Sequence, residues 1–305
     1  HVAAEVWQTF ETALARWLAF PLAGPLGLEL RVQAYRTPKL DRMRFAQSLA
    51  TSAGLTRLFK EYCVAARWAA AFTLRSCERF VEIMQALERD RAKLAERFHG
   101  GREFGQLVNI QLGLSDPHHD GRAVARLRFS SSLTLYFKPR RHATETRFTE
   151  LCGWLGARSI DAPSPLITLD AINHLWMAEV KWSPCATFDE LTRYARRAGH
   201  LLSIAHLLGA SDLHDANVIA SGDSPVAIDV ETLLQPDFYF TQVGNASSRA
   251  FSLCEGSVLR TCLLPAWHKW QDDTVADVGC LGSIIGAAST GHYQRSPKAD
   301  PMTTQ

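Results

Sequence analysis

The chain has 305 residues, 47% of them hydrophobic and 21% charged, which is typical of a globular protein with one large or two small domains. Its 33 basic and 31 acidic residues leave a formal net charge of +2, so overall charge favours neither nucleic acid nor an anionic membrane as a partner. Seven scattered cysteines without a C-x-x-C spacing argue against a disulfide framework and favour a cytoplasmic setting.

The sequence predicts neither a membrane-spanning segment nor a signal peptide. No apolar run reaches the length of a membrane span, and the first residues, "HVAAEVWQTF", lack the flanks of a signal peptide. An initiating methionine is also absent. We therefore expect the chain to be a fragment or a processed form of a longer protein.

The first hundred residues have the spacing of helices. Apolar residues recur at helical intervals over residues 2–18, and the prolines and glycine of residues 21–25 predict the end of that helix. A longer amphipathic stretch covers residues 55–101 and ends on two glycines. These patterns predict a mostly helical region over residues 1–104.

Strand patterns begin after Gly105. The segments "QLVNIQLGL", "RAVARLRF" and "LTLYFKP" are rich in β-formers and separated by polar turns, which predicts an antiparallel sheet. A helix is predicted over residues 144–155, followed by strands over 166–169 and 175–180. Residues 105–182 therefore form a second predicted region.

The third predicted region, residues 183–305, carries the densest group of polar side chains. A helix is predicted over residues 188–208, and two short strands, 218–220 and 226–230, flank the turn "SGDSP". The basic segment 193–199 on that helix could touch an acidic leader peptide, but such a cluster is more typical of a solvated helix face.

The stretch "DLHDANVIASGDSPVAIDVE" has the residue types that phosphoryl transfer from ATP requires. Asp212 and Asn217 have the i, i+5 spacing of the catalytic-loop Asp and Asn of protein kinases, and Asp229 follows an apolar strand, where kinases place a second metal-binding Asp. Carboxylate and amide oxygens suit magnesium. His214 makes the loop similar to the D-R-H-x-x-N form of phosphoinositide 3-kinase-like enzymes. The alternative is a polar turn in which Asp and Asn hydrogen-bond locally.

A phosphate-binding lysine is available upstream. Lys138 ends the β-run "LTLYFK", and Arg140 adds positive charge beside it. The helix that follows offers Glu145 and Glu150 as partners for Lys138, and the sequence does not choose between them. Lysine, helix, strand, helix, loop and strand then follow in a kinase-like order.

Four segments in order, "LSDPHHDGRAVARLRF", "LYFKPRR", "DLHDANVIASGDSPVAIDVETLLQP" and "SVLRTCLLP", resemble the dehydratase domain of LanM-type class II lanthipeptide synthetases over residues 55–281. The resemblance implies an α+β, lipid-kinase-like, two-lobed domain with a helical N-terminal region. It also implies use of ATP and Mg²⁺ to phosphorylate Ser and Thr of a ribosomal precursor peptide with a leader, followed by phosphate elimination to dehydroalanine or dehydrobutyrine.

The resemblance assigns roles residue by residue. Asp212 would activate the substrate hydroxyl, His214 would fix the loop, and Asn217 and Asp229 would hold Mg²⁺. The cofactor-binding residues would be Lys138, Arg140 and Glu231, with the lysine on the ATP phosphates. Elimination needs a base for the Cα proton and a cation for the leaving phosphate, and the candidates are His118, Thr261 and Arg260, with Arg249 as an alternative to Arg260.

Two departures from the family qualify this expectation. Ala216 stands where the family has a Glu before the loop Asn, which removes a carboxylate beside the predicted metal. Full-length members also carry a zinc-dependent cyclase domain, so ring formation is expected from a separate cyclase domain or protein. Two alternatives remain open: a kinase-like phosphotransferase without elimination, acting on a small molecule or lipid head group, and an inactive peptide-binding fragment of a larger synthetase.

Overall fold

The computed structural model describes residues 3–37, 39, 41–115, 121–140, 143–158, 160–234, 249, 253–265, 267–269, 275–277 and 279–281. The chain divides into two compact units. Unit 1 comprises His1–Arg141 and Ala171–Ala178, and unit 2 comprises His142–Asp170 and Glu179–Gln305. Both units combine helices with antiparallel strands, which agrees with the predicted α+β class.

Four helices begin unit 1: α1 (Ala4–Arg36), α2 (Arg42–Leu49), α3 (Ser52–Glu61) and α4 (Cys63–His99). Helices occupy this part of the chain, as its apolar spacing indicates, and α4 ends at Gly100 in the left-handed conformation that favours glycine. The predicted long helix over residues 55–101 is interrupted at Tyr62, whose backbone leaves helical geometry with φ −109° and ψ 60°.

The predicted end of the first helix near residue 21 is wrong. Helix α1 continues through Pro21 and Pro25 to its last turn. A proline inside a helix removes one backbone hydrogen bond and costs about 3 kcal/mol, but α1 also packs on α4. Ring contacts join Phe10 to Phe80 at 4.6 Å between centroids and Trp17 to Phe72 at 6.3 Å. Packing of this kind overrides local propensity.

Four strands of unit 1 form an antiparallel sheet in the order β1 (Leu107–Gln111), β2 (Ala125–Phe129), β3 (Thr134–Lys138) and β5 (Leu175–Ala178). The strands predicted from the three β-rich segments are therefore confirmed. The register pairs Lys138, the last residue of β3, with Leu175 at the start of β5. The inward-facing apolar side chains of these strands are buried, among them Leu127, Leu135 and Phe137.

A buried polar cluster connects α4 with β5 inside unit 1. The Asp90 carboxylate oxygen Oδ2 lies 2.6 Å from His174 Nε2 and accepts a hydrogen bond from Trp176 Nε1 at 3.0 Å. All three side chains are almost completely buried. Because Asp90 lies more than eighty positions from both partners, this contact depends on the tertiary fold.

Unit 2 includes the helices α5 (Ala143–Gly156) and α6 (Phe188–Leu207), and both confirm predicted helices. Strand β4 (Thr168–Asp170) precedes α6, and a hairpin of β6 (Val218–Ser221) and β7 (Ser224–Ala227) follows it. A 3-10 helix (Val258–Thr261) and a short pair of strands, β8 (Trp267–Lys269) and β9 (Val275–Asp277), come last.

One apolar core holds the elements of unit 2 together. It contains side chains from α5, α6, the loop after α6, the hairpin and the segment after the 3-10 helix, namely Phe148, Cys152, Leu201, Ala205, Ala210, Leu213, Val218, Ala227, Val230, Leu233 and Leu263. Core residues lie both before and after the loop that carries the predicted catalytic residues, at Ala210 and Val218, and so fix both of its ends. Within the part of the chain described, no helix has both the length and the apolar character needed to cross a bilayer.

Candidate active site

The predicted catalytic loop, residues 212–217, connects α6 to β6 and is attached to the core by Leu213. The Leu213 side chain is buried, and its backbone N–H donates to the carbonyl oxygen of Thr261 at 3.0 Å. Asp212 and His214, on either side of Leu213, remain partly accessible. The alternation of one buried and two accessible residues leaves the polar side chains available for chemistry.

Asn217 contacts two of the other three polar residues of the loop, Asp212 and His214. Its amide nitrogen Nδ2 donates to the backbone oxygen of Asp212 at 2.8 Å and lies 3.4 Å from the carboxylate oxygen Oδ2. The amide nitrogen is thus used within the loop, and the amide oxygen is the atom left to act as a cation ligand. The i, i+5 spacing seen in the sequence is therefore a direct side-chain contact in the structure.

His214 stabilises the loop through its ring nitrogens. The backbone N–H of Ala216 donates to His214 Nδ1 at 3.1 Å, and Asp212 Oδ1 lies 3.6 Å from Nε2. The Asn217 amide nitrogen Nδ2 also lies 3.3 Å from Nε2, so the ring contacts three residues of its own loop. The loop-fixing role of His214 stays a prediction.

The β6–β7 hairpin brings Asp229 beside the loop. Val218 pairs with Ala227, and the Ile228 N–H donates to the carbonyl oxygen of Asn217 at 2.9 Å, which extends the ladder by one bond. Asp229 follows immediately, and its Oδ1 accepts from the backbone N–H of Glu231 at 3.4 Å. The register of the hairpin therefore determines where Asp229 lies relative to Asn217.

The negative charge of Asp229 acts on the Asp212 carboxyl group. Burial raises the pKa of Asp212, and the negative charge of Asp229 raises it further, while His214 and the hydrogen bond from Asn217 oppose the shift. A raised carboxyl pKa next to a second carboxylate is typical of sites that accept a proton or bind a cation. The Cys262 thiol is also held protonated, because burial and then Asp212 and Glu255 raise its pKa.

The donor set fits magnesium better than a softer metal. Among the residues that the structure describes, no group of three or more His, Cys, Asp and Glu side chains forms a ready-made metal cage. Magnesium does not require such a cage, since it is usually bound by one or two carboxylates together with waters and substrate phosphates. Asp229 and the amide oxygen of Asn217 supply oxygen donors of that kind.

Thr261 and Arg260, predicted for elimination, lie in the 3-10 helix beside the loop. Thr261 is fully buried, and its hydroxyl donates to the Val258 carbonyl at 2.7 Å and accepts from the Leu263 N–H at 3.3 Å. The Arg260 Nε atom lies 3.7 Å from a carboxylate oxygen of Glu255. The structure thus places Thr261 next to the loop through its backbone, while its hydroxyl caps the 3-10 helix.

The predicted nucleotide-binding residues Lys138 and Arg140 belong to unit 1. Lys138 ends β3 as predicted, and its side chain is buried. Arg140 follows in a turn in which its backbone N–H donates to the Lys138 carbonyl at 2.9 Å. In unit 2, Glu145 is buried in the first turn of α5. Glu150 is exposed, and its carboxylate oxygen Oε2 lies 2.5 Å from Arg147 Nη1. Glu145 and Glu150 both stay candidates for the ion-pair partner of Lys138.

Three further candidate residues are His118, Arg249 and Glu231. His118, the predicted elimination base, lies outside the described residues. Arg249 is described and exposed. Glu231 is partly buried and follows Asp229 by two residues, as the motif requires. The roles of these residues stay predictions.

A contact that the sequence did not predict holds the predicted catalytic loop from a distant segment of the chain. His214 forms an isolated antiparallel bridge with Gly279, and the backbone N–H groups of Cys280 and Leu281 donate to the carbonyls of Cys262 and Leu263. The loop is therefore enclosed by two segments that are distant in sequence. Only the glycine itself, in "DVGCLG", could have drawn attention to this position.

Comparison with known proteins adds independent information. Over 157 residues the chain is 29% identical to the lacticin 481/lactococcin biosynthesis protein LcnDR2 of Lactococcus lactis subsp. lactis, and the alignment covers 48% of this chain and 17% of that protein. The chain therefore spans less than a fifth of the length of this curated relative.

The family comparison covers more of the chain. Residues 62–303 match the family model described as Domain of unknown function (DUF4135). Together with the similarity to LcnDR2, this match confirms the resemblance to LanM-type lanthipeptide synthetases that the four sequence motifs indicated. The match includes the predicted catalytic loop, the hairpin and the strand that ends at Lys138. On this evidence the chain belongs to the DUF4135 family.

Proposed function

We propose that this chain is the dehydratase part of a lanthipeptide synthetase, with a lipid-kinase-like, two-lobed fold, and that it uses ATP and Mg²⁺ to phosphorylate Ser and Thr of a precursor peptide. One observation carries the proposal. The hairpin register brings Asp229 beside Asn217, and Asn217 is hydrogen-bonded to Asp212. This arrangement joins a base candidate and two oxygen ligands in one small site.

In the proposed first step, Asp212 accepts the proton of the substrate hydroxyl. The hydroxyl oxygen then forms a bond to the γ-phosphorus while the bond from that phosphorus to the ADP oxygen breaks. His214 fixes the loop through its contacts with Ala216 and Asn217, and Lys138 is the proposed cation on the phosphates. Asn217 and Asp229 would hold Mg²⁺, which neutralises charge on the phosphates when it is bound.

In the proposed second step, a base removes the Cα proton, the carbon–carbon double bond forms and phosphate leaves with the electrons of the carbon–oxygen bond. His118, Thr261 and Arg260 are the residues proposed for it. The proposal also assigns cyclisation to a separate cyclase domain or protein. It further includes a cytoplasmic setting.

A second candidate function, phosphoryl transfer without elimination, is favoured by one observation. The Thr261 hydroxyl is buried and uses both its donor and an acceptor position in the 3-10 helix. These local bonds favour a structural role for the Thr261 hydroxyl and therefore support the first step better than the second. The two candidates differ in product: a dehydrated residue or a stable phosphorylated one.

Nucleotide binding tests the shared first step. We expect calorimetric titration with a non-hydrolysable ATP analogue to show binding that requires Mg²⁺ and that is lost in Lys138→Ala and in Asp229→Asn. The matched controls are Lys181→Ala and Asp170→Asn, which change exposed residues of the same types. A folded wild-type chain that binds no analogue would contradict the proposal and favour the inactive, peptide-binding fragment.

Mass spectrometry of a Ser- and Thr-containing precursor peptide tests the second step. We expect a loss of one water mass per modified residue with the wild type, an unmodified peptide with Asp212→Asn, and a phosphorylated peptide with His118→Ala or Thr261→Ala. A phosphorylated peptide as the final product of the wild type would support the phosphotransferase without elimination.

A further inference from the structure

The basic segment of α6 is engaged in ion pairs with two acidic residues of unit 2. Arg193 Nε lies 2.7 Å from Asp223 Oδ2, and Arg197 binds both Oδ1 and, at 3.1 Å, the backbone oxygen of the same residue. Arg196 instead binds Asp161, at 2.8 Å. The segment that looked like a solvated helix face therefore has a specific intramolecular target.

Asp223 occupies the tip of the β6–β7 hairpin. Gly222 and Asp223 form the two-residue turn between Ser221 and Ser224, with Gly222 at φ +57°. Both carboxylate oxygens and the carbonyl of Asp223 are engaged by arginines one helical turn apart on α6, so the tip has a defined position on the helix. We call Arg193, Arg197 and Asp223 the arginine clamp.

Further bonds attach the same tip to neighbouring backbone. The Gly222 N–H donates to the Ser183 carbonyl at 3.0 Å, and the Ser183 N–H donates to the Ala220 carbonyl at 3.1 Å. The buried Ser224 hydroxyl accepts from the Ser164 N–H at 2.8 Å. These bonds hold the hairpin from the side, whereas the clamp is the charged contact that orients it on α6.

The other end of the hairpin carries the two proposed metal ligands. Asn217 precedes β6, Asp229 follows β7 by two residues, and the bond from the Ile228 N–H to the Asn217 carbonyl closes this end. Strands of four residues span about 13 Å, at about 3.3 Å per residue. Because Asn217 adjoins β6 and Asp229 adjoins β7, a shear of one strand against the other at the tip is carried along the ladder and changes the separation of the ligand oxygens.

We propose that the arginine clamp positions the hairpin so that Asn217 and Asp229 keep the separation that Mg²⁺ needs, which makes Asp223, Arg193 and Arg197 positioning residues of the proposed site. The inference rests on the proposed function where it concerns magnesium. Its structural part, the link between the hairpin tip and the Asn217–Ile228 bond, stands on the contacts alone.

The test compares Asp223→Asn, Arg193→Gln and Arg197→Gln with the control Arg196→Gln, whose arginine lies on the same helix but binds Asp161. Two quantities are measured: hydrogen exchange of the Ile228 amide in the free protein, and the Mg²⁺ concentration that half-saturates binding of the ATP analogue. Mn²⁺ binding followed by electron paramagnetic resonance serves as a third readout.

We expect the clamp variants to exchange the Ile228 amide about tenfold faster and to need about tenfold more Mg²⁺, at the low end of the losses caused by residues that orient metal ligands. Affinity for the analogue without metal should not change, and Asp223→Glu should restore part of the Mg²⁺ affinity. A merely stabilising ion pair would lower the unfolding temperature without these changes.

The outcomes separate the two proposals. Unchanged Ile228 exchange in Asp223→Asn overturns the clamp, whether or not nucleotide binds. Faster exchange with unchanged Mg²⁺ and Mn²⁺ affinity overturns the positioning of the metal ligands. A wild type that binds no Mg²⁺–nucleotide contradicts the proposed function, and with it the magnesium part of the inference, while the exchange data still decide the structural part.

Discussion

At the scale of single residues, the raised pKa of Asp212 is the most informative property of the site. Burial is the main cause and Asp229 the second source of the increase. A carboxyl group whose pKa is higher in the folded state is more easily protonated there, so its ionisation costs stability as the pH rises through the raised pKa. The same shift moves the pH at which Asp212 becomes able to accept a proton.

The first prediction concerns this coupling. Asp229→Asn removes the neighbouring negative charge, so the pKa of Asp212 should fall toward its ordinary value. A ¹³C titration of the Asp212 carboxyl carbon measures the midpoint, and Asp170→Asn, at an exposed position, should leave the midpoint unchanged. Equal midpoints in the wild type and Asp229→Asn would show that the two carboxylates do not interact.

Asp90 illustrates a residue whose importance is structural. Burial alone would raise its pKa, but hydrogen bonds from Trp176 and His174 and the charge of the histidine lower it below its usual range. The stability that this carboxylate contributes is present above the pKa of the unfolded chain, about 3.9. It is lost as the pH falls through the lower folded-state value.

The second prediction follows from this burial. Asp90→Ala leaves the polar groups of His174 and Trp176 without their acceptor and should lower the free energy of unfolding by about 3–5 kcal/mol. Glu96→Ala changes an exposed carboxylate on the same helix and should shift it by no more than about 0.5 kcal/mol. Urea unfolding at pH 7 and pH 3 measures the free energy of unfolding of both variants. The difference between the two variants should be smaller at pH 3, because the contribution of the Asp90 carboxylate declines as the pH falls.

At the scale of elements, the predicted catalytic loop contacts the segment after β9. A Cβ atom on Gly279 would lie 2.1 Å from the Leu264 carbonyl oxygen and 2.9 Å from Pro265 Cα, so the close approach of two backbones excludes any side chain there. Because Gly279 also bridges His214, the glycine couples the packing of this segment to the geometry of the loop.

The third prediction tests that dependence. Gly279→Ala should displace the segment from Leu264, break the bridge to His214 and weaken Mg²⁺-dependent binding of the ATP analogue. Gly153→Ala is the matched control, since its helix position is open and alanine there should stabilise α5 by about 1 kcal/mol. If Gly279→Ala bound the analogue as the wild type does, the bridge would have no role in the site.

At the scale of the whole molecule, all seven cysteines are free thiols, so the reactivity of each one measures how deeply it is buried in the fold. Cys63, Cys77 and Cys254 are exposed, whereas burial raises the pKa of Cys152 and Cys280 to about 12. Thiol reactivity requires the thiolate and access to it. The two classes should therefore react on very different timescales.

The fourth prediction is a stepwise modification by a thiol reagent at pH 8. Three thiols should react first, and Cys152 and Cys280 should react only as fast as the protein opens. Mass spectrometry after short exposure identifies the sites, and the same experiment in urea gives the reference in which all seven react. Early labelling of Cys152 would contradict the packing of the unit 2 core.

Several features could be predicted from the sequence because they depend on neighbours along the chain. The 3.6-residue period locates α5 and α6, alternating β-formers locate β1 to β3 with Lys138 at a strand end, and the i, i+5 spacing of Asp212 and Asn217 yields a real contact. A period or a short spacing specifies local geometry, and these elements follow it closely.

Other features were decided only by the tertiary structure, because they join residues that are far apart in sequence. Helix α1 passes through Pro21 since packing against α4 offsets the lost hydrogen bond, and Asp90 meets Trp176 only when the sheet has formed. Asp223 looked like an ordinary turn residue, and its engagement by Arg193 depends on where the hairpin lies on α6. The sequence by itself determined which chemical groups the protein has and their order, while packing and strand register decided which of them meet.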